Sequence, residues 1–165
     1  MIALKKILVP TDFGEAADGA LSYARALARN FGASIDVLHV VEDAAARMFA
    51  ADIYVVMPPT LQKELEDAAR AELDKRLIDN DPHPLPMHPA VVTSNAPAMT
   101  ILNYAKETGP DLIVMGTHGR GPMAHLLMGS VAERVVRLAG CPVLVVRHPE
   151  HEFVVPDALV TSAKA

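Results

Sequence analysis

Glycines recur along one stretch of the chain, and a serine follows the last of them, with a spacing that suits the binding of a phosphate group. The stretch is MGTHGRGPMAHLLMGS, residues 115–130, in which Gly116, Gly119 and Gly129 have the spacing G-x2-G-x9-G and Ser130 follows the last glycine. Amides at the N-terminus of a helix have no partner within the helix and lie at the positive end of its dipole. A helix that begins at Ser130 therefore offers hydrogen bonds to a phosphate, and Gly129 has no side chain to keep that phosphate away.

The same residues have a second interpretation that needs no ligand. Ser130 and Glu133 match the capping box S-x-x-E, which stabilises a helix by about 1 kcal/mol, and glycines in a surface loop can serve to allow positive φ. Both accounts explain Ser130. Residues 112–149 contain four arginines and one acid in a chain of net charge -5, and this local positive charge favours the anion site.

Other phosphate-binding patterns fit the sequence poorly. GRGPMA, residues 119–124, matches G-x-G-x-x-A, but it follows the fourth predicted strand instead of the first and no acid stands at the expected distance. We interpret this match as accidental. The sequence contains no G-x-x-x-x-G-K-[ST] motif and no S-G-G-x-D-S-like loop after the first strand, which argues against Walker-type ATPases and ATP-splitting synthetases.

Short β-type runs alternate with longer helical patterns along the chain. The predicted strands cover residues 6–9, 34–41, 90–93, 111–115 and 142–147. The spacing of apolar residues predicts a first helix between Pro10 and Gly32 and further helices over residues 61–78, 98–108 and 130–139. Prolines separate the second helix from the third strand, and residues 42–60 show no regular pattern.

This alternation predicts an α/β fold, a three-layer open parallel sheet of five strands with helices on both faces. In such folds ligands bind outside the carboxyl ends of the strands. The glycine stretch follows the fourth strand, and Pro10, Thr11 and Asp12 follow the first, so we expect both at one edge of the sheet. Asp12 also has an interpretation that needs no ligand, because aspartate commonly caps a helix and the first helix begins nearby.

Composition limits the classes of function. A chain of 165 residues with 51% hydrophobic side chains is the size of one domain with a substantial core. Its acidic balance disfavours binding to nucleic acid. No apolar run reaches the roughly 18 residues of a membrane span, and the first residues, MIALKK, show no secretory pattern, so we expect a cytoplasmic protein without a membrane contact.

Cysteine and histidine give no sign of a metal centre. Cys141 is the one cysteine of the chain, so no disulfide framework or thiolate-rich metal site can form within it, and we expect it to be buried without an activating base. His83, His88, His148 and His151 lie among prolines or in the tail without acidic or thiol partners in sequence, and we interpret them as exposed.

Four stretches together resemble the universal stress protein family, and in particular its nucleotide-binding branch. They are KILVPTDFGEAADGALSYARALA, VLHVV, DLIVMGTHGRG and LLMGSVAERVVRLAGCPVLVVR. The resemblance spans residues 5–147 and implies a Rossmann-like fold of the adenine nucleotide alpha hydrolase type. We accordingly predict a universal stress protein domain over residues 1–147, with a tail over residues 148–165 outside the match.

The resemblance implies a site for ATP, or for ADP or AMP, with a magnesium or manganese ion carried on the triphosphate. By position, Asp12 and the backbone near Val40 would hold the adenine, Met115 and Gly116 would border the ribose, and the loop after the fourth strand would hold the phosphates. The implied binding residues are Pro10, Thr11, Asp12, Val40, Met115, Gly116, Gly119, Arg120, Gly129, Ser130 and Val131. Two departures stand out: Asn95 replaces a usual glycine, and His125 replaces a usual basic residue.

The family resemblance also implies a homodimer paired through the fifth strand, residues 142–146. The leading hypothesis is a nucleotide-dependent regulator in the stress response, in which the bound nucleotide stabilises either one conformation or a surface for a protein partner that the sequence does not identify. Two alternatives stay open: a dimeric interaction module with an empty glycine loop, and a slow ATPase or phosphotransferase. We do not predict an enzyme beyond weak ATP hydrolysis, because the sequence has no G-x-S-x-G elbow, no H-E-x-x-H helix and no carboxylate pair in the glycine stretch.

Overall fold

The computed structural model describes residues 3–46, 58–78, 83–117 and 128–147. Strands and helices alternate in these residues as the sequence predicts. The elements are β1 (Lys6–Thr11), α1 (Glu15–Phe31), β2 (Ser34–Val41), α2 (Leu61–Leu77), β3 (Met87–Thr93), α3 (Pro97–Thr108), β4 (Leu112–Gly116), α4 (Ser130–Leu138) and β5 (Val143–Val146). The predicted tail, residues 148–165, and most of the irregular stretch before α2 lie outside the described residues.

The five strands form one parallel sheet in the order β3-β2-β1-β4-β5. This confirms the predicted fold class. Chain order reverses at β1, which lies between β2 and β4, so the carboxyl ends of these strands form the edge at which doubly wound folds bind ligands.

The largest boundary error of the sequence analysis concerns β3, which begins at Met87 instead of residue 90. The predicted strand began directly after Pro89, the last of the prolines that separate the second helix from the third strand. In the structure Pro89 pairs in register with Val37 of β2, and β3 is an edge strand, where proline is tolerated. β1 and β4 also run further than predicted, to Thr11 and Gly116, and both extensions reach the edge at which ligands are expected.

Helices α1 and α2 cover one face of the sheet, and α3 and α4 cover the other. The first layer is built around alanines of α1 that are fully buried, namely Ala20, Ala24 and Ala28, and these small side chains let α1 lie close to the sheet. The second layer packs Ile101 of α3 and Val135 of α4 against β1, β2 and β4. Neither layer of these described helices covers the carboxyl ends of the strands, where a cavity is found.

Candidate functional site

A cavity of about 760 Å³ lies at the carboxyl ends of the strands. This volume is within the range of roughly 300–1,000 Å³ that is typical of ligand-binding clefts. Residues at or after the carboxyl ends of β1 to β4 line it, together with the N-termini of α3 and α4.

Every predicted binding residue that the structure describes lines this cavity. These residues are Pro10, Thr11, Asp12, Val40, Met115, Gly116, Gly129, Ser130 and Val131. Gly119, Arg120 and His125 lie outside the described residues. Residues more than a hundred positions apart in sequence thus share one cavity.

The cavity also contains residues that were not among the predicted binding residues. They are Ala17, Leu38, His39, Glu42, Ala46, Ser94, Asn95, Pro97, Ile101, Thr117 and Ala132. Ser94 and Asn95 directly follow β3, as Asp12 follows β1, so the same rule about carboxyl ends would have located them.

Helix α4 begins differently from the capping-box prediction, which is wrong. Gly129 is the N-cap, Ser130 is the first helical residue, and no side chain of the described residues makes a capping hydrogen bond. The first bond of the helix runs from the Glu133 amide to the Gly129 carbonyl at 2.9 Å, and the Glu133 carboxylate pairs with Arg137 at 3.2 Å.

The start of α4 consequently presents bare donors to the cavity. Within the described residues, the amides of Ser130, Val131 and Ala132 have no hydrogen-bond acceptor, and all three residues line the cavity. Such amides, together with the helix dipole, stabilise an anion. The local structure therefore fits a phosphate, and Gly129 adds no side chain between the amides and the cavity.

Two short hydrogen bonds fix the ends of the glycine stretch. The Gly129 amide donates to the Thr117 carbonyl at 2.7 Å, and the Thr117 amide donates to the Val146 carbonyl of β5 at 2.8 Å. Thr117 is only 5% exposed. The N-terminus of α4 is thereby attached to β4 and β5 and held beside the cavity.

Asp12 lies in a tight turn between β1 and α1 and does not cap that helix. Its Oδ1 accepts a hydrogen bond from the Gly14 amide at 3.1 Å, whereas Gly14 itself is the N-cap of α1 and makes no side-chain capping bond. The alternative interpretation of Asp12 as a helix cap is therefore wrong. Asp12 lines the cavity from the β1 side.

Phe13 holds this turn in an unusual conformation. Its φ of 65° lies in the left-handed region, which is costly for an aromatic residue. The Phe13 amide donates to Thr11 Oγ1 at 3.0 Å, its ring stacks on His39 with centroids 4.2 Å apart, and the Arg76 guanidinium lies 4.9 Å from the ring centroid. Arg76 also donates to the Phe13 carbonyl at 3.2 Å. These contacts from β2 and α2 stabilise the strained turn and so position Asp12.

Gly116 makes room for a helix. A side chain at this position would place its Cβ 2.8 Å from the backbone carbon and the Cβ of Ala16, which lies in the first turn of α1. This distance is well below the 3.5–4.0 Å of normal carbon contacts. The absence of a side chain at Gly116 therefore allows α1 to approach β4, whether or not a ligand is bound.

The polar groups of the cavity are unevenly distributed. Asp12 and Glu42 bring carboxylates to the side formed by β1 and β2, whereas the amide donors of α4 lie on the side of β4. Leu38, Val40 and Ile101 add apolar surface to the cavity. The arrangement suits an elongated ligand with an anionic group at one end and a flat, hydrogen-bond-donating group at the other.

His88, Asp36 and Cys141 are titratable residues that lie outside this cavity. His88 Nδ1 is 3.2 Å from the buried Asp36 carboxylate, and neither residue lines the cavity. Cys141 is half-buried, less than predicted, and burial together with the nearby charge of Asp111 raises the pKa of its thiol. Among the described residues, no three His, Cys, Asp or Glu side chains cluster as metal ligands, and no helix is long and apolar enough to cross a membrane.

The fold and the site together define a doubly wound α/β protein with a ligand cavity at its topological switch point. Comparison with known families gives a more specific assignment. The model of the universal stress protein family matches residues 3–147. The chain therefore belongs to the universal stress protein family.

Individual relatives agree with this assignment. Universal stress protein MJ0531 of Methanocaldococcus jannaschii is 33% identical over 149 residues, which cover 90% of this chain and 85% of the relative. The solved structure of MJ0577 from the same organism superposes with a TM-score of 0.74 at 28% identity and covers 89% of this chain and 98% of that one. A universal stress protein from Archaeoglobus fulgidus, solved in complex with dAMP, shares the fold with a TM-score of 0.55 at 20% identity, with 88% of this chain and 98% of that one covered.

Proposed function

We propose that this chain is an ATP-binding universal stress protein, and that the bound nucleotide stabilises one conformation of a regulatory homodimer. The observation that carries the proposal is the set of amides at the start of α4 that have no acceptor among the described residues; they belong to residues that line the cavity together with every described residue of the predicted site. ADP and AMP are the related ligands, because amide donors distinguish poorly between chains of one, two or three phosphates.

The cavity offers complementary groups to each part of an adenine nucleotide. The phosphates are assigned to the amides of Ser130, Val131 and Ala132, where the helix dipole favours negative charge. The nucleoside is assigned to the apolar surface of Leu38 and Val40, with the Asp12 carboxylate as acceptor for a donor on the base. The dAMP complex of the Archaeoglobus fulgidus protein supports a nucleotide as a ligand that this fold accommodates.

A divalent cation is proposed to accompany the triphosphate. Magnesium usually binds through one or two carboxylates and the phosphates of its substrate and keeps several waters. The carboxylates of the cavity, Asp12 and Glu42, lie on the side away from the α4 amides. The ion would therefore be held chiefly by the phosphates of the nucleotide and by water, with no carboxylate of Asp12 or Glu42 as a ligand.

The proposed homodimer would form along β5. This strand is at one edge of the sheet, and apolar side chains on and beside it are exposed, with Leu144 at 37%, Val136 at 42% and Leu138 at 58%. An exposed apolar edge strand is a template for pairing with another chain. Replacement of Leu144 with aspartate should shift the protein toward monomer in sedimentation velocity, and an unchanged sedimentation coefficient would count against pairing at this edge.

We propose the cytoplasm as the compartment.

Acid extraction of the purified protein, followed by nucleotide chromatography, tests the proposed ligand directly. ATP in the extract supports the proposal. ADP with AMP, together with multiple-turnover phosphate release that is lost in Gly129→Val, would favour the slow ATPase instead. An extract without nucleotide, and no rise in melting temperature with millimolar Mg-ATP, would favour the interaction module with an empty loop.

A pair of glycine variants tests the location of the phosphate. Gly129 has φ of -72°, so valine is compatible with the backbone there, but its side chain would obstruct the α4 amides. ATP at 100 times its Kd adds about 2.7 kcal/mol, or roughly 5–11 °C in Tm for a chain of this size. Gly129→Val should abolish that rise. The control Gly140→Val introduces a side chain where no atom lies within 4 Å and should retain it.

A further inference from the structure

The segment that follows β2, residues 42–46, forms part of the cavity wall through Glu42 and Ala46. We call it the wall segment. Asn95, 52 positions later in the chain, contacts it through both polar atoms of its side chain: the Asp43 amide donates to Asn95 Oδ1 at 2.9 Å, and Asn95 Nδ2 donates to the Asp43 carbonyl at 3.4 Å. Asn95 also lines the cavity itself.

A second side chain supports the wall segment from α2. The Ala44 amide donates to Gln62 Oε1 at 3.1 Å, and Gln62 Nε2 donates to Thr93 Oγ1 at 3.2 Å, at the end of β3. The wall segment is therefore attached to the end of β3 twice, directly through Asn95 and indirectly through Gln62. These bonds connect three elements at the side of the cavity opposite α4.

We propose that Asn95 is a positioning residue for the nucleotide: it holds the wall segment in the conformation that contacts the nucleoside. This inference rests on the proposed function. In the sheet order β3-β2-β1-β4-β5, Asn95 and the wall segment follow β3 and β2, whereas the amides proposed to bind phosphate lie beyond β4. The wall segment therefore lies beside the part of the ligand that carries no phosphate.

The backbone conformation at position 95 does not explain why asparagine occupies it. Asparagine often replaces glycine where φ is positive, but within the described part of the chain Phe13 is the one non-glycine residue with positive φ. The side-chain bonds to Asp43 are thus the feature that asparagine provides here. Glycine, which the family resemblance leads us to expect at this position, could make neither bond.

Removal of the Asn95 side chain should reduce the fraction of molecules in which the wall segment is ordered. Apparent affinity falls by the same factor as the binding-competent fraction. Because Asn95 is exposed and its two bonds compete with water, their loss corresponds to about a three- to tenfold weaker affinity. The factor should be the same for ATP, ADP and AMP, since the phosphates bind at the other end of the cavity.

Titration calorimetry of Asn95→Ala with these three nucleotides tests the inference. The matched control is Asn103→Ala, because Asn103 is an exposed asparagine of α3 that does not line the cavity. We expect a roughly uniform loss of affinity in Asn95→Ala and none in the control. Unchanged affinity, or a loss that grows with the number of phosphates, would overturn the inference.

Hydrogen exchange without nucleotide separates this inference from the proposed function. The Asp43 amide should exchange about three- to tenfold faster in Asn95→Ala than in the wild type or in Asn103→Ala, since it loses its acceptor. Asn95→Asp, which keeps an acceptor oxygen, should exchange at an intermediate rate. Equal exchange in all four proteins would refute the attachment of the wall segment. If the attachment is observed but the wild type binds none of the nucleotides, the proposed function fails and the role of Asn95 in binding fails with it.

Discussion

Replacement of Gly116 with alanine should destabilise the protein even when no nucleotide is present. The new Cβ would lie 2.8 Å from the carbonyl carbon and Cβ of Ala16 and 2.9 Å from its carbonyl oxygen. These atoms belong to the first turn of α1 and cannot rotate away, and α1 is packed against the sheet through fully buried alanines such as Ala20. Overpacking of this kind costs about 1–3 kcal/mol, which corresponds to a decrease in Tm of roughly 2–12 °C for a chain of this length.

Urea denaturation of the nucleotide-free protein, followed by circular dichroism, measures this effect. Gly140→Ala is the matched control, because no atom lies within 4 Å of its added Cβ and its φ is not positive. We expect the control to change the free energy of unfolding by less than about 1 kcal/mol. If Gly116→Ala is as stable as the wild type and loses only nucleotide binding, the glycine serves the ligand and our account of its contact with α1 is incorrect.

Two further predictions concern the turn that carries Asp12 and the start of the sheet. Arg76→Lys should lower the free energy of unfolding by about 1 kcal/mol in urea denaturation, because lysine cannot both stack on Phe13 and donate to its carbonyl. The same change at the exposed Arg70 should have little effect. Equal stability of the two variants would contradict this role of Arg76. The pKa of Asp111 lies below its ordinary value of 3.8, because two main-chain amides donate to its carboxylate at 2.7 and 3.0 Å. Its stabilising effect is therefore present above pH 3.8 and lost as the pH falls through the lower folded pKa. Tm of Asp111→Asn should accordingly decline less steeply than that of the wild type as the pH falls from about 4 to about 2, and parallel declines would argue against this role.

The two interpretations of Ser130 show where sequence patterns stop being informative. S-x-x-E predicts a capping box if the serine is the N-cap, but a helix that begins one residue earlier turns the same serine into the first helical residue. Packing of α4 against the sheet and the bond between Gly129 and Thr117 decide this register, and Thr117 lies outside the motif. Sequence alone therefore could not choose between the cap and the bare amides.

The contacts of Asn95 illustrate a second limit. The sequence shows an asparagine after a strand, and the only local property on which an expectation could rest was its tolerance of unusual φ. Its partner, Asp43, follows a different strand, and the two come together because β2 and β3 pair in register from Ile35 and Met87 to Val41 and Thr93. Such a contact depends on strand order, which short sequence patterns do not encode.

By itself, the sequence determined the alternation of strands and helices, the parallel sheet and the edge at which the site must lie, because hydrophobic periodicity and glycine spacing are local properties with few structural solutions. Only the tertiary structure shows which amides of α4 have no acceptor among the described residues. It also shows that a side chain at Gly116 would clash with α1 and that β3 continues through Pro89. Each of these depends on atoms that are distant in sequence and are brought within a few ångströms only when the sheet and its helices pack together.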